Sequence, residues 1–297
     1  MRVVKLHLVD ATFELFRAYY APGRALERGP DGRPVNAVRG LIDSMLFLLR
    51  EPDVTHIAAA TDYVIESWRN DLFPTYKSSA GMDPDLLAQF RDAERALRAL
   101  GIVTWPMVED EADDALATAV ARFGADPRVE QIVICSVDKD LSQCVDDGRV
   151  VLRDRMRKIT YDEEGVRAKF GVEPESIPDY LALVGDSSDG YPGLPGWGAK
   201  GAAAILSRWL HLEAIPDSPL DWDIALRGAS TLAATLRDHR DEAALYKRLA
   251  TLNHDALISE TLDDLEWRGV RREDFTALCT ELGFQTIGSR VHRWAAA

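Results

Sequence analysis

The sequence is poor in the residues that form disulfides or bind soft metal ions. Its 297 residues include three cysteines and six histidines, and no two cysteines form a CxxC pair. These counts do not suggest a disulfide framework, and they are typical of a reducing compartment such as the cytoplasm. Metal ions would therefore have to bind to oxygen ligands, which prefer hard cations such as Mg²⁺ or Mn²⁺.

Long apolar segments are also missing from the sequence. No run reaches the roughly 18 residues that a membrane-spanning helix needs. Residues 1–10 lack the apolar stretch and the small-residue cleavage site of a signal peptide. We therefore expect a cytoplasmic protein that does not enter a membrane.

Basic residues are outnumbered by acidic ones. The 35 Lys and Arg residues against 49 Asp and Glu residues give a net charge of −14, which at first argues against a nucleic-acid partner. Docking, however, depends more on the local field than on net charge. Nine of the acids fall in five short clusters: Asp10, Asp62, Glu111, Asp113, Asp114, Asp138, Asp140, Asp186 and Asp189.

Short apolar strands alternate with amphipathic helices in the first half of the chain. The hydrophobic pattern predicts strands over residues 3–9, 54–61 and 130–137, and a helix over 84–100. This alternation predicts a doubly wound α/β domain with a parallel sheet. Beyond residue 160 the patterns are almost entirely helical.

The acid clusters follow predicted strands or begin predicted helices. Asp10, Asp62 and the pair Asp138 and Asp140 follow apolar strands, and parallel strands place such residues at one edge of a sheet. An acid at such a place can also simply cap a helix or stabilise a turn. Five acids within residues 109–114 repel one another unless cations intervene, which favours a metal site. Two divalent ions about 3.5–4 Å apart can activate water and stabilise the leaving oxygen of a phosphodiester.

Several motifs, taken in chain order, resemble the flap endonuclease and 5′→3′ exonuclease family, including the 5′-nuclease domain of bacterial DNA polymerase I. The resemblance extends over essentially the whole chain. The motifs are residues 8–12 (Leu-Val-Asp-Ala-Thr), 17–21 (Arg-Ala-Tyr-Tyr-Ala), 68–77 (Trp-Arg-Asn-Asp-Leu-Phe-Pro-Thr-Tyr-Lys), 111–114 (Glu-Ala-Asp-Asp), 138–141 (Asp-Lys-Asp-Leu), 183–189 (Leu-Val-Gly-Asp-Ser-Ser-Asp) and 192–200 (Pro-Gly-Leu-Pro-Gly-Trp-Gly-Ala-Lys).

The resemblance implies a two-part fold. Residues 1–170 would form a PIN-like (resolvase-like) parallel-sheet nuclease domain with a helical arch over about 68–95. Residues 171–297 would form an all-α domain with a helix–three-turn–helix DNA-binding motif over 177–206. A polymerase does not fit in the remaining length, so we expect a stand-alone, monomeric nuclease.

The resemblance also assigns roles to individual residues. All nine acids match metal-site positions for two or more Mg²⁺ or Mn²⁺ ions. Arg69 and Lys77 match arch cations near the scissile phosphate, and Tyr76 matches an aromatic residue that can stack on a base. The alternatives are a solvated helix face for the two cations and simple packing for the tyrosine. The chain departs from the family at Ala80, where an arch arginine is usual, and at Gly190, where asparagine is usual.

The Gly-rich turn would contact duplex DNA. The resemblance implies that Gly193, Gly196 and Gly198 present backbone amides to a phosphate and carbonyls to a monovalent cation such as K⁺, with Lys200 as a further phosphate contact. The alternative is a tight connection between helices. The basic stretch from Arg149 to Lys158 is interpreted as a solvated hairpin edge, with a DNA contact as the alternative.

The resulting hypothesis is a metal-dependent 5′ nuclease of DNA replication or repair that hydrolyses branched or 5′-ended duplex DNA. It would act as a flap endonuclease and as a 5′→3′ exonuclease. Two alternatives stay open: a PIN-type ribonuclease, and a DNA-binding protein that recognises branched DNA without cutting it.

Overall fold

A computed structural model of the protein describes residues 3–23 and 25–296. Contacts divide the chain into two compact units, each built from separate segments. Unit 1 comprises Met1–Ile65, Ser79–Ser136 and His254–Ala297, and unit 2 comprises Glu66–Ser78 and Val137–Asn253. The division predicted from the sequence follows chain order, whereas the units follow contacts, so the predicted boundary at residue 170 stays a prediction.

Strands and helices alternate through the first 135 residues, and helices predominate after residue 161. The strands are β1 (Val4–Asp10), β2 (His56–Asp62), β3 (Val103–Met107), β4 (Val129–Cys135), β5 (Val150–Asp154) and β6 (Ile159–Tyr161). The α-helices are α1 (Ala11–Tyr19), α2 (Asn36–Leu48), α3 (Trp68–Leu72), α4 (Pro84–Leu87), α5 (Phe90–Ala99), α6 (Ala112–Gly124), α7 (Glu163–Phe170), α8 (Ile177–Val184), α9 (Ala199–Trp209), α10 (Ala229–Asp238), α11 (Arg240–Ala250) and α12 (Arg272–Leu282).

Unit 1 contains a parallel sheet in the order β3-β2-β1-β4. All seven residues of β2 are buried, as expected for a strand covered on both faces. The register pairs Asp10 with Ala60 and Asp62 with Met107. Both acids therefore lie at the carboxyl edge of the sheet, where the sequence predicted them.

The helix predicted over residues 84–100 is interrupted, and the structure has α4 and α5 in its place. The break lies at the buried Gln89. Its backbone N donates to Leu86 O (2.9 Å), and its side-chain Nε2 donates to Asp85 O (2.8 Å), the carbonyl that the backbone N would bond to in a continuous α-helix. Its Oε1 accepts hydrogen bonds from Ala37 N (2.8 Å) and Val38 N (3.2 Å). These amides begin α2, whose N-cap residue Val35 makes no side-chain cap bond. The Gln89 side chain therefore accepts the hydrogen bonds that an N-cap side chain of α2 would otherwise accept.

Unit 2 combines helices with the antiparallel hairpin β5–β6. The hairpin contains the basic stretch that the sequence predicted at a hairpin edge. A buried ion pair joins α8 to α11, because Lys247 Nζ lies 2.8 Å from Oδ1 of the fully buried Asp179. Residues 3–23 and 25–296 contain no helix that is long and apolar enough to cross a membrane.

Candidate functional site

Two acids of unit 1 are fixed by hydrogen bonds at the carboxyl edge of the sheet. Asp10 caps α1 by accepting from Phe13 N (2.8 Å), and its other oxygen accepts from Ser136 Oγ (2.9 Å). Asp62 Oδ1 accepts from Ala112 N (2.7 Å), which connects the end of β2 with the start of α6. These bonds hold both carboxylates in place although they are almost fully buried.

The acids that begin α6 form a capping box. Glu111 N donates to Asp114 Oδ2 at 3.0 Å, and the Glu111 side chain accepts from the third residue of the helix. Glu111 and Asp114 are buried, while Asp113 is half-buried. The helix-capping alternative is therefore realised here, and it explains how neighbouring acids tolerate burial at a positive helix end. Because Asp62 bonds to Ala112, this cluster and the sheet edge adjoin.

Unit 2 contains three acids whose side chains face one another. One carboxylate oxygen from each of Asp140, Asp186 and Asp189 lies within 4.8 Å of the other two. Asp140 begins a 3-10 helix (Asp140–Cys144), and Asp138 is half-buried just before it. Groups at this spacing can share a cation, and we call Asp140, Asp186 and Asp189 the unit 2 triad.

A tight turn brings Asp186 and Asp189 together. Asp186 forms an antiparallel bridge with Tyr191, and Gly190 N donates to Asp186 O at 2.9 Å. Gly193 has a φ of +71°, and a Cβ there would lie 2.3 Å from Gly185 N. The turn can close only because these positions lack side chains.

Electrostatics at the unit 2 triad are unfavourable without a cation. Burial raises the pKa of Asp140 well above its usual value, and the charges of Asp189, Asp138 and Asp186 raise it further. Lys139 Nζ lies 2.5 Å from Asp186 Oδ2 and offsets part of this charge. Within the described part of the chain, no donor reaches the buried Oδ1 of Asp140.

This arrangement fits a divalent metal ion. The donors are all carboxylate oxygens, which suit Mg²⁺ or Mn²⁺. A buried oxygen without a hydrogen bond is costly unless something else binds it, and a cation at the unit 2 triad would do so. Asp140, Asp186 and Asp189 are the residues that could hold it.

Two protein-family models together match most of the chain. Residues 5–171 match the 5′-3′ exonuclease N-terminal resolvase-like domain, and residues 172–273 match the 5′-3′ exonuclease C-terminal SAM fold. The chain belongs to the 5′-3′ exonuclease family. The predicted resemblance and the predicted fold class, a resolvase-like sheet domain followed by a helical domain, are thereby confirmed.

Relatives of this 5′-3′ exonuclease family member include large polymerases. The chain is 34% identical to DNA polymerase I of Pseudomonas aeruginosa over 295 residues, which are 96% of this chain and 31% of that protein. It is 35% identical to DNA polymerase I of Bacillus caldotenax over 288 residues, or 95% and 32% of the two chains. The chain thus spans about a third of the length of the curated relatives that it matches.

Solved structures share the fold of this family at lower identity. The T5 D15 protein co-crystallised with metal ions has a TM-score of 0.69 at 18% identity, with 92% of this chain and 98% of that chain covered. Human GEN1 in complex with Holliday junction DNA has a TM-score of 0.60 at 13% identity, with 97% and 70% covered.

Arg69, an arch cation by resemblance, is buried rather than exposed to solvent. Its side chain is 1% exposed and lies over the Trp68 ring at 4.4 Å. Nε donates to Leu249 O (2.7 Å) and Nη2 donates to Thr251 O (3.2 Å). Its charge also lowers the pKa of Asp140. Arg69 therefore does not lie on a solvated helix face.

Tyr76 and Lys77 lie beside the turn of the unit 2 triad. Tyr76 is 2% exposed, and its ring is parallel to that of Tyr191 within 7°, with centroids 6.3 Å apart. This favours packing over base stacking for Tyr76. Lys77 N donates to Asp189 O at 2.9 Å. This backbone hydrogen bond connects Lys77 to one of the three acids of the unit 2 triad.

The three glycines that the resemblance assigns to a DNA contact differ in exposure. Gly193 is buried and packs against the backbone at the end of α8. Gly196 and Gly198 are exposed, and no atom lies within 4 Å of where a Cβ of Gly198 would be. Gly198 caps α9, where Lys200 is also exposed. Close approach by a ligand is therefore open at Gly196 and Gly198 rather than at Gly193.

Sequence reasoning missed residues that support the acids. Lys139 pairs with Asp186, Ser136 donates to Asp10, and Thr12 Oγ1 accepts from Asp62 N at 2.8 Å. A signal was present for each, because these residues lie within two positions of a candidate acid in the sequence.

Proposed function

We propose that this protein is a metal-dependent, structure-specific 5′ nuclease that hydrolyses DNA at 5′ flaps and 5′ ends. The observation that supports it best is the unit 2 triad, with its unbonded Asp140 oxygen, in a chain of the 5′-3′ exonuclease family. Its relatives among bacterial DNA polymerases suggest a part in DNA replication or repair. A cytoplasmic location and a monomeric state belong to the same proposal.

The nine acids would bind two or more Mg²⁺ or Mn²⁺ ions. We assign Asp10, Asp62, Glu111, Asp113 and Asp114 from unit 1, and Asp138, Asp140, Asp186 and Asp189 from unit 2. When bound there, such ions would supply an activated water for in-line attack and charge stabilisation for the leaving oxygen, and the product would carry a 5′-phosphate. The protein's part is to hold the carboxylates in fixed positions, through Ser136, Ala112 N and the turn at Asp186.

Basic residues would supply the remaining charge. Lys77 would stabilise the negative charge that develops on the phosphate. The buried Arg69 would be a positioning residue: it would order α3 and partly offset the charge of Asp140. Tyr76 would support the same segment by packing on Tyr191.

Duplex DNA would bind at the Gly-rich turn. The exposed backbone at Gly196 and Gly198 and the ammonium of Lys200 would contact phosphates, with a monovalent cation such as K⁺ at the turn carbonyls. Gly193 would shape this turn from inside. No protein partner is part of the proposal.

A labelled 5′-flap duplex with Mn²⁺ tests the proposal. The wild-type protein should cut near the junction, and Asp140→Asn should lower kcat about a thousandfold, which corresponds to about 4 kcal/mol of lost stabilisation. Asp238→Asn, an exposed acid on α10, is the matched control and should retain activity. Both variants should bind the flap as measured by fluorescence anisotropy.

Two results would contradict the proposal. Faster cleavage of a matched RNA strand than of the flap DNA would identify a PIN-type ribonuclease. Flap binding with no cleavage by the wild type, in either metal, would identify a binding protein without catalysis.

A further inference from the structure

The unit 2 triad contains a carboxylate that is buried without a hydrogen bond to hold it in place. Asp140 is 4% exposed, and no donor among residues 3–23 and 25–296 reaches its buried Oδ1. The nearby carboxylates of Asp189, Asp138 and Asp186 repel its charge. The backbone that carries Asp140 therefore has to fix the position of this side chain.

That backbone belongs to a short 3-10 helix with little support of its own. The helix (Asp140–Cys144) has five residues, and its N-cap residue Lys139 makes no side-chain cap bond. Hydrogen-bond geometry is poorer in 3-10 helices than in α-helices, and runs of this length are uncommon. Contact with a longer α-helix would make the position of Asp140 more definite.

Gln143 connects this 3-10 helix to the C-terminal end of α11. Its Nε2 donates both to Asp140 O (2.8 Å) and to Ala250 O (2.9 Å), and its Oε1 accepts from Leu252 N (3.1 Å). A single amide group thus uses both of its N–H donors and its carbonyl oxygen. The Gln143 side chain therefore joins the carbonyl of Asp140 to a carbonyl and an amide at the end of α11.

The end of α11 is suited to anchor other segments. The last four carbonyls of an α-helix have no partner within the helix. Here three consecutive carbonyls, those of Leu249, Ala250 and Thr251, accept hydrogen bonds from side chains. Gln143 binds the middle carbonyl and Arg69 binds the outer two. The helix thus holds α3 and the 3-10 helix of Asp140 at neighbouring backbone positions.

We infer that Gln143 is a positioning residue that holds Asp140 where the unit 2 triad can bind a divalent cation. The inference rests on the proposed nuclease function and deepens it, because it names a residue outside the nine acids that sets the metal affinity. Replacement of residues that orient metal ligands typically costs about 10–100-fold in metal affinity or activity. Ionised glutamate has no donor for the two carbonyls, and asparagine is one methylene shorter.

Mn²⁺ binding in the absence of DNA tests the inference. Electron paramagnetic resonance measures free Mn²⁺ during a titration, and Asp140→Asn identifies the binding that belongs to the unit 2 triad by losing it. Gln143→Met keeps the length of the side chain and removes its hydrogen bonds. We expect Gln143→Met to raise the Kd of the triad for Mn²⁺ about tenfold or more.

Arg240→Met is the matched control for a loss of stability. Arg240 lies at the start of α11 and donates to two backbone carbonyls, Leu212 O (3.1 Å) and Ile215 O (2.6 Å). Gln143→Met and Arg240→Met should both lower the melting temperature by a few degrees, since each leaves two carbonyls without their donor. Only Gln143→Met should raise the Kd for Mn²⁺.

Hydrogen exchange of the wild type gives a second test that needs no variant. Because linkage between binding events is reciprocal, a hydrogen bond that favours metal binding is itself stabilised by the metal. Mg²⁺ should therefore slow exchange of the Leu252 amide, which donates to Gln143. It should slow exchange of the Leu212 amide, which donates to Asp179 at 2.8 Å, to a smaller extent. This measurement decides if Gln143→Met fails to fold by circular dichroism.

Three results would overturn the inference: a Kd for Mn²⁺ in Gln143→Met equal to that of the wild type, an equal rise of the Kd in Arg240→Met, or equal slowing of the two amides by Mg²⁺. Flap cleavage by the wild type together with any of these results would contradict the role of Gln143 alone. A wild-type protein that binds no Mn²⁺ would instead contradict the proposed function, and the inference with it.

Discussion

The two groups of acids are held in different ways. In unit 1, Asp10, Asp62 and Asp114 accept hydrogen bonds from backbone amides or a hydroxyl, and they cap or connect helices. In unit 2, Asp140 has a buried oxygen that no donor of the described residues reaches, and three other acids raise its pKa. Asp10, Asp62 and Asp114 are thus satisfied by the protein itself, whereas Asp140 keeps a buried oxygen that a cation would bind.

The two groups of acids therefore differ in how they affect the stability of the fold. A carboxylate that caps a helix stabilises the fold by roughly 0.5–2 kcal/mol whether or not a metal binds. A buried carboxylate among like charges destabilises the fold until a cation arrives. Substitutions in the two groups should therefore affect catalysis alike but stability in opposite directions.

The largest expected effect is on catalysis. Asp62→Asn and Asp140→Asn should each lower kcat on a 5′-flap duplex about a thousandfold, because both remove a negative oxygen proposed to bind a metal ion. Single-turnover cleavage with Mn²⁺ measures this. If Asp62→Asn retained activity and Asp140→Asn did not, Asp62 would stabilise the fold without binding a catalytic metal ion. The two groups of acids would then differ in catalysis as well as in stability.

Removal of Arg69 should have the next largest effect. Arg69→Ala leaves the carbonyls of Leu249 and Thr251 without their donor and exposes Asp140 to more uncompensated charge. We expect a loss of about 3 kcal/mol in the free energy of unfolding, measured by urea denaturation. Arg69→Lys should not restore it, since an ammonium cannot reach both carbonyls in the same geometry. Unchanged stability with weakened DNA binding would instead indicate a direct DNA contact.

The third effect concerns metal and pH. Mn²⁺ at 100 times its Kd should raise the unfolding free energy of the wild type by about 2.7 kcal/mol, and Asp140→Asn should lose most of this gain. Thermal melts with and without Mn²⁺ measure it. An equal gain in the variant would show that Asp140 does not bind the ion.

The same variant should be more stable than the wild type in metal-free buffer, with a definite pH dependence. The folded-state pKa of Asp140 lies above its usual value of 3.8, so the folded wild type favours the protonated acid. Stability is therefore retained below the unfolded pKa and is lost as pH rises through the folded pKa. The difference between variant and wild type should be small near pH 4 and grow towards neutral pH. A difference that shrinks with rising pH would contradict this sign.

Local patterns predicted much of the fold and of the acid set. The strand predicted over residues 3–9 is β1 (Val4–Asp10), and the strand predicted over residues 54–61 is β2 (His56–Asp62). Such elements are set by periodicity within a short window. Two acids accordingly appear at the carboxyl edge of the sheet, as the strand pattern indicated.

Contacts between distant residues could not be predicted in this way. Gln89, at the break between α4 and α5, bonds to an amide 52 residues away, and the buried Arg69 bonds to a carbonyl 180 residues away. Neither partner has a local sequence signal. For Arg69 the sequence offers only an arch cation by resemblance or a solvated helix face, because the fold alone reveals the carbonyls that its side chain contacts.

The smallest effect should come from Ser136, which sharpens the comparison within unit 1. Ser136→Ala removes a neutral hydroxyl donor from the buried Asp10, and we expect a loss of about 1–2 kcal/mol in unfolding free energy. Because Phe13 N still holds the other oxygen, Asp10 should stay in place and kcat should fall by no more than about tenfold. Urea denaturation and flap cleavage of the same preparation measure both quantities. A thousandfold loss of kcat without loss of stability would contradict this expectation. It would mean that the hydrogen bond from Ser136 serves metal binding by Asp10 and not the stability of unit 1.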